Sequence, residues 1–574
     1  VIEQATYAVT LLSTGAEVPG VTGVTVRLDE GATPYLSGQI TMKMPALSTV
    51  AALDPNKRPR LQIVARRLFT SGTVKTTLST RVIVTDRTVD AAAATLTLTV
   101  ANEETLLDYA PAADVNMSLY YDSIRNLVLR VLRIIMPTGG INFPLGPDAA
   151  YRPAVTARNI VPESGFEWAL SGKWKQVNAA AVIIQAYAAQ GVNSLRVSPA
   201  NASTDSYVEI DPGLTPGRTY RISAWGSTDN GMLGEIYPGR ARVLALMGNV
   251  SGVPEVLAIG SGTPITNSTP REQVIEFTIP EYAKDTTIRL YNGTNTNTNG
   301  SVYWDAVMAV EAPYVELGTP IPYFDGDTPD DATYVYTWDG QDGVSASTRT
   351  PRVERRPEAL IWRQGQTARE FLNPILQAVK LRLFQDAAAN WRLVDNSYLA
   401  PLRTRMDHLD NIYSATEGGG FNARHPDGSP LWADAVAITY RWLDGRGVEQ
   451  ERTDVAAPAG YVKLITLTLD NTPYPGPGQA EYVRSRLIMR ARQMTTRGRI
   501  NFNAAPSQEL TILTEHTGLI TGLVDSVEFD LNADEMTVVG KALVDTPATA
   551  WNQLDTGIRW SDSPVGASWA SETA

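Results

Sequence analysis

The chain has 574 residues, 43% of them hydrophobic and 19% charged, which is too long for one hydrophobic core and too apolar for disorder; several folded domains are expected. Its 49 Lys and Arg stand against 61 Asp and Glu, a formal charge of −12, and the sequence shows neither the basic excess nor the basic stripe by which a protein normally grips nucleic-acid phosphates. Cysteine is absent, excluding disulfides, thiolate metal sites and cysteine nucleophiles, and the three histidines, His408, His425 and His516, are scattered too widely to suggest a zinc site.

The first residues, Val1-Ile2-Glu3-Gln4-Ala5, show no basic start followed by an apolar run, and no stretch approaches the roughly 18 apolar residues of a spanning helix, so neither a secretory signal nor a membrane-spanning segment is expected. Residues 1–105 read as strands and turns. Period-2 alternation in Leu36-Ser37-Gly38-Gln39-Ile40-Thr41-Met42 and in Thr95-Leu96-Thr97-Leu98-Thr99-Val100 argues half-buried antiparallel strands of a barrel or sandwich. Over 106–157 the period changes. Asp122 or Ser123 can cap a helix whose stripe is Ile124, Leu127, Val128, Val131, Leu132 and Ile135, stopped by Pro137-Thr138-Gly139-Gly140.

Residues 158–349 shift to Asn, Thr, Ser, Gly and Tyr with sparse charge and carry six strand signals, at 207–210, 219–225, 242–247, 274–279, 287–291 and 302–310. They read as a guest inserted into a small α/β domain, which resumes over 350–405. There a capping box, Thr367-Ala368-Arg369-Glu370, opens a second helix with the face Phe371, Leu372, Ile375, Leu376 and Val379. Strands return over 406–545, interrupted by a helix expected over 480–494, whose Arg484, Arg486, Arg490 and Arg492 either hold a partner's carboxylates or lie in solvent. Residues 546–574, with Trp551, Trp560 and Trp569 among small polar residues, read as a tail that orders against a neighbour.

The layout, with β-rich ends around a small α/β element, and the run Leu519–Phe529 resemble phage tail hub, or baseplate hub, proteins. The run Tyr323-Phe324-Asp325-Gly326-Asp327-Thr328-Pro329-Asp330, followed by Tyr334-Val335-Tyr336-Thr337-Trp338-Asp339-Gly340, looks like a signature of minor tail proteins of actinobacteriophages. Residues 158–312, with Asn159-Ile160-Val161-Pro162-Glu163-Ser164-Gly165-Phe166-Glu167, Leu214–Trp225 and Val302–Val307, resemble carbohydrate-binding modules of the 4/9 type. The resemblances imply a mainly-β chain: two hub β-barrels (1–105 and 406–545), a split α/β domain, and an inserted jelly-roll β-sandwich. They further imply a homotrimeric, pseudo-sixfold ring at the tail tip of a virion, assembled in the host cytoplasm among other phage tail proteins. DNA would be only cargo in transit, and a host cell-surface glycan a partner.

Alternation sorts the guest's faces. Tyr220, Ile222 and Ala224 point to the core and Arg221 and Trp225 outward; Ile288 and Leu290 inward, Arg289 and Tyr291 outward. A flat aromatic outside can stack on a pyranose while arginine donates to hydroxyls, so Trp225, Arg221, Tyr291 and Arg289, with Tyr187 and Tyr237 in loops, are the candidate carbohydrate contacts; covering a sheet face against another tail protein is the alternative. Trp174 and Trp304 are assigned to packing. The module resemblance places a structural calcium at Glu167 and Asp305, although two carboxylates fall short of the six to eight oxygens calcium takes. Asp325 and Asp327 read as turn residues, and no G-x-S-x-G, P-loop or H-E-x-x-H is found, so no catalytic group is expected; a glycan-adhesion protein and a cell-wall glycosidase remain the rival readings.

Overall fold

The computed structural model describes the chain except residues 1–3, 69–73, 138–140, 142, 144–145, 201–204, 229–243, 263–264, 266–268, 293–300, 313–314, 317–318, 421–423, 425–429, 445–446, 516–517 and 546–574. The expected C-terminal tail, Tyr237, His425 and His516 therefore lie outside the described residues. Two units form, one of Val1–Tyr151 with Glu358–Ala574, the other of Arg152–Pro357.

In the first unit the alternating runs become strands, Leu36–Lys43 and Thr95–Ala101, with Leu36, Ile40, Met42, Leu96 and Leu98 wholly buried. Strands from the first hundred residues and from after residue 400 enter one thirteen-stranded sheet. Its path runs from the N-terminal strands through Thr95–Ala101, Leu36–Lys43 and Val21–Asp29 to Gly518–Asp530, Glu535–Asp545, Arg492–Arg499 and Ile412–Gly419. The seam is an antiparallel ladder from Thr25 opposite Asp530 to Asp29 opposite Ser526. Val26, Leu28 and Ile40 share one core with Val527, Phe529 and Val538.

This corrects the expectation of two hub barrels. Val21–Asp29 has Leu36–Lys43 on one edge and Gly518–Asp530 on the other, so neither edge is left to close the N-terminal strands into a ring. No sheet among the described residues is closed.

The helix Ile124–Ile135, capped by Ser123 Oγ accepting from Asn126 N, and the helix Ala368–Ala378 share a core with Trp362 and Trp391. A three-stranded sheet (Glu449–Ala456, Ala435–Leu443, Leu464–Asp470) packs Val436, Ile438 and Tyr440 against Ala480, Val483 and Leu487 of the helix Gln479–Ile488. That helix ends six residues before the expected Met494. Met494 instead pairs with Gly540 and Glu417 within the large sheet, where its side chain is buried; packing there outweighs continued helix.

The second unit holds two open antiparallel sheets. One has five strands, in the order Lys175–Val177, Tyr207–Ile210, Lys284–Tyr291, Leu244–Val250, Val253–Ile259. The other has six: Ala179–Ile184, Ser194–Pro199, Val302–Glu311, Thr219–Thr228, Arg271–Thr278, Ser261–Gly262. Their inner faces contribute Ile222, Ala224, Ile288 and Leu290 to one core, with Trp174 and Trp304 inside it. The jelly-roll expectation is corrected in the same way, since these sheets share a core without closing into a barrel. A further sheet of Tyr334–Trp338, Ser347–Pro351 and Ala157–Asn159 joins the unit's two ends.

Candidate functional site

The site starts from alternation in Thr219–Thr228. Tyr220, Ile222 and Ala224 are in the core, which turns Arg221 and Trp225 to the other face of the six-stranded sheet. Cross-strand register sets Glu276 opposite Arg221 and Glu272 opposite Trp225. Arg221 Nη1 donates to Glu276 Oε1 at 2.9 Å and Nη2 to Glu272 Oε1 at 3.3 Å, so one guanidinium ties both carboxylates. An open groove of about 690 Å³ lies over these residues, with Ser261, Gly262, Pro270, Arg271 and Val274 completing its walls. Gly262 is required there: at φ +147 a Cβ would stand 2.3 Å from Glu272 O, so only glycine lets the short edge strand Ser261–Gly262 approach. The groove offers an aromatic face beside charged donors and acceptors held in fixed positions.

The five described candidate sugar contacts do not converge. Arg221 and Trp225 line the groove. Tyr187 sits on the same sheet face, its ring 4.6 Å from that of Tyr303, with Ser227 Oγ donating to its carbonyl at 3.4 Å. Arg289 and Tyr291 belong to the other sheet and point away from the shared core, on the opposite side of the unit from the groove. There Arg289 Nε donates to Glu209 Oε2 at 2.9 Å, its guanidinium lies 4.3 Å from the Tyr207 ring centre, and the Tyr207 and Tyr291 rings are 4.9 Å apart. Glu272 and Glu276 were missed from the sequence. The alternation of Arg271–Thr278, with Ile275 inward, carries the signal that sets both outward.

Glu167 and Asp305 both bind the loop 189–193. Asp305 Oδ2 accepts from Ala189 N at 2.7 Å and Gln190 N at 2.8 Å, and Oδ1 from Ala306 N at 2.6 Å. Glu167 Oε1 accepts from Val192 N at 2.8 Å and Asn193 N at 3.0 Å, and Oε2 from Asn193 Nδ2 at 3.1 Å. All four oxygens thus face N–H donors. That donor set does not fit calcium, which needs converging oxygens rather than amide hydrogens. Burial pushes the Asp305 carboxyl up to about 7, against the pull of its N–H donors.

Asp325 and Asp327 act as turn residues. Asp325 Oδ1 accepts from Asp327 N and Thr328 Oγ1, while Oδ2 accepts from the Tyr323 hydroxyl at 2.9 Å. The indoles of Trp168 and Trp338 each donate to one oxygen of Asp327 at 3.2 Å. Among the described residues no group of three His, Cys, Asp or Glu side chains could hold a metal, and no helix is long and apolar enough to cross a membrane.

The sequence matches no family model and no curated protein. Among solved structures the chain is similar to a tail protein from Neisseria meningitidis MC58, at 8% identity over 94% of this chain and 96% of that one, TM-score 0.38. It is similar too to the 43 kDa tail protein of prophage MuSo2 from Shewanella oneidensis, at 10% identity over 93% and 97%, TM-score 0.35. A family 16 carbohydrate-binding module matches at 18% identity over 27% of this chain and 100% of its own, TM-score 0.21. With every one of these TM-scores below 0.5, the functional reading rests on the chain's own residues.

Proposed function

We propose that the chain is a structural, non-catalytic protein of a phage tail whose inserted unit presents a glycan-binding groove. The groove at Trp225 carries this reading: an indole that can stack on a pyranose lies beside Arg221, Glu272 and Glu276, whose mutual ion pairs fix them for hydroxyl recognition. The tail assignment is supported by the resemblance of the run 323–340 to minor tail proteins, and a self-contained unit spliced into a host suits a module displayed on a scaffold. Host-surface glycan and neighbouring tail proteins are the partners this reading names, in a virion. A homotrimeric, pseudo-sixfold ring needs two similar barrels per chain, which one open sheet does not supply.

A glycan array probed with the full chain tests the groove. Trp225→Ala should weaken binding at least tenfold, about 1.4 kcal/mol, while Tyr291→Ala on the opposite side leaves it unchanged. Equal loss from both variants, or no glycan bound at all, would sink the groove. A glycosidase reading has one observation in its favour, two carboxylates in one groove. Turnover of host envelope polysaccharide abolished by Glu272→Gln or Glu276→Gln would establish it over adhesion.

A further inference from the structure

A second site lies in the unit of Val1–Tyr151 and Glu358–Ala574, where residues far apart in sequence bury their charges together. Four cations meet two carboxylates. Arg382 Nη1 and Arg486 Nη1 both lie 3.2 Å from Glu30 Oε1, and Lys541 Nζ binds Glu30 Oε2. Lys541 Nζ also lies 3.2 Å from Asp525 Oδ1, which Arg490 Nη2 shares at 3.1 Å. The side chains are between 2% and 17% exposed, with Lys541 the most buried and Arg486 the least. Each of these oxygens except Glu30 Oε2 therefore serves two cations, and the acids run out first. Arg490 Nε is buried with no hydrogen-bond partner.

A third carboxylate, Glu104, stands nearby but is spent on backbone. Its Oε2 accepts from Tyr35 N at 2.5 Å and its Oε1 from Gln385 N at 2.7 Å. Even counted as charged it leaves cations in excess. Uncompensated charge at this depth is costly, so an anion from outside would be stabilised there. Beside Arg382 and Arg486 there is room for one: a cavity of about 130 Å³ between the turn at Gly31–Thr33, Asn373 and Tyr482, its wall completed by Glu30, which the two arginines already pair, and by Glu104, whose oxygens are turned to backbone N–H groups.

We propose that this cavity binds a small tetrahedral oxyanion, phosphate or sulfate, held between Arg382 and Arg486. Arginine suits it, since a guanidinium fork offers paired donors to such an anion while still reaching Glu30. The bound ion would balance the excess positive charge where the N-terminal strands, the middle helix and the C-terminal strands meet. This inference is independent of the groove.

Calorimetric titration of the full chain with sodium phosphate, and separately with sodium sulfate, at ionic strength held constant by sodium chloride, is the test. Saturable one-site binding is expected, weakened at least tenfold in Arg486→Gln. Ala32→Leu, which narrows the cavity without touching a charge, should weaken it similarly and decides the matter should Arg486→Gln fail to fold by circular dichroism. A single-stranded oligonucleotide should not compete, because its phosphodiesters cannot enter. No saturable heat beyond the chloride control, saturable binding unaltered in the folded variants, or displacement by the oligonucleotide would each overturn the proposal.

Discussion

At Asp305 burial and hydrogen bonding pull one carboxyl in opposite directions, and burial wins, lifting it to about 7. Its folded value lies above the unfolded one, so the fold holds this proton more tightly than the open chain does. The stabilisation is full below about pH 4 and is lost as pH rises through 7. Asp305→Asn, which cannot ionise, should remove that slope: the stability gap between native chain and variant narrows from pH 5 to pH 8, by at most about 3 kcal/mol, the rest of the shift having been spent below pH 5. Denaturant unfolding at the two pH values measures it, and a gap that widens refutes it. Glu30 has the opposite sign. Burial raises it, but Arg382, Lys541 and Arg486 outweigh burial and hold it at about 2, so its contribution is full above about pH 4.5 and lost as pH falls towards 2. Glu30→Gln takes the carboxylate from buried Arg382 and Arg486 and leaves Lys541 only Asp525, and should cost about 3–5 kcal/mol in the same assay at pH 7.

Among the elements, those set by local chemistry were readable from sequence. Thr367 Oγ1 accepts from Glu370 N at 3.2 Å and Glu370 Oε2 accepts from Thr367 N at 2.9 Å, the reciprocal pair that spacing alone announced. Thr367→Ala should therefore cost about 1 kcal/mol in denaturant unfolding, and Thr367→Ser far less. The outward facing of Arg221 and Trp225 was equally readable, because alternation needs only neighbours along one strand. What needed a distant partner was hidden. Nothing in Val21–Asp29 or Gly518–Asp530 announces the other, and their pairing replaces two rolled barrels by one continuous sheet. The arginines expected on a solvated or partner-facing helix are largely taken by the chain's own acids: Arg484 by Glu481, Arg486 by Glu30, Arg490 by Asp525, Arg492 by Glu417 and Asp545. The same reason divides the candidate site. Strand periodicity says that Trp225 and Tyr291 both face outward, but only sheet membership says that they face outward on different sides.

At the scale of the whole chain the arrangement is a host knitted from both termini and a guest whose ends are brought together. Ala154 N donates to Arg355 O at 2.9 Å and Arg355 N to Ala154 O at 3.0 Å, an antiparallel bridge where the guest begins and ends. A few further rungs follow, Ala157 opposite Arg349 through Asn159 opposite Ser347. Because directly bridged residues lie only about 5.5 Å apart, a linker of two or three glycines can replace everything between them without stretching the host. Among the described residues, the host core, with Val26 and Phe529 at the seam of the large sheet and Trp362 and Trp391 around the helices, takes none from within 152–357. Replacement of residues 155–354 by such a linker should therefore leave a chain that folds with native-like β-rich circular dichroism. Calorimetry of the full protein should show two unfolding transitions, of which the excised chain keeps one unshifted, and the glycan array should go dark. An excised chain that aggregates, or whose remaining transition falls by many degrees, would mean that the host depends on its guest for stability and that insertion is the wrong description of this architecture.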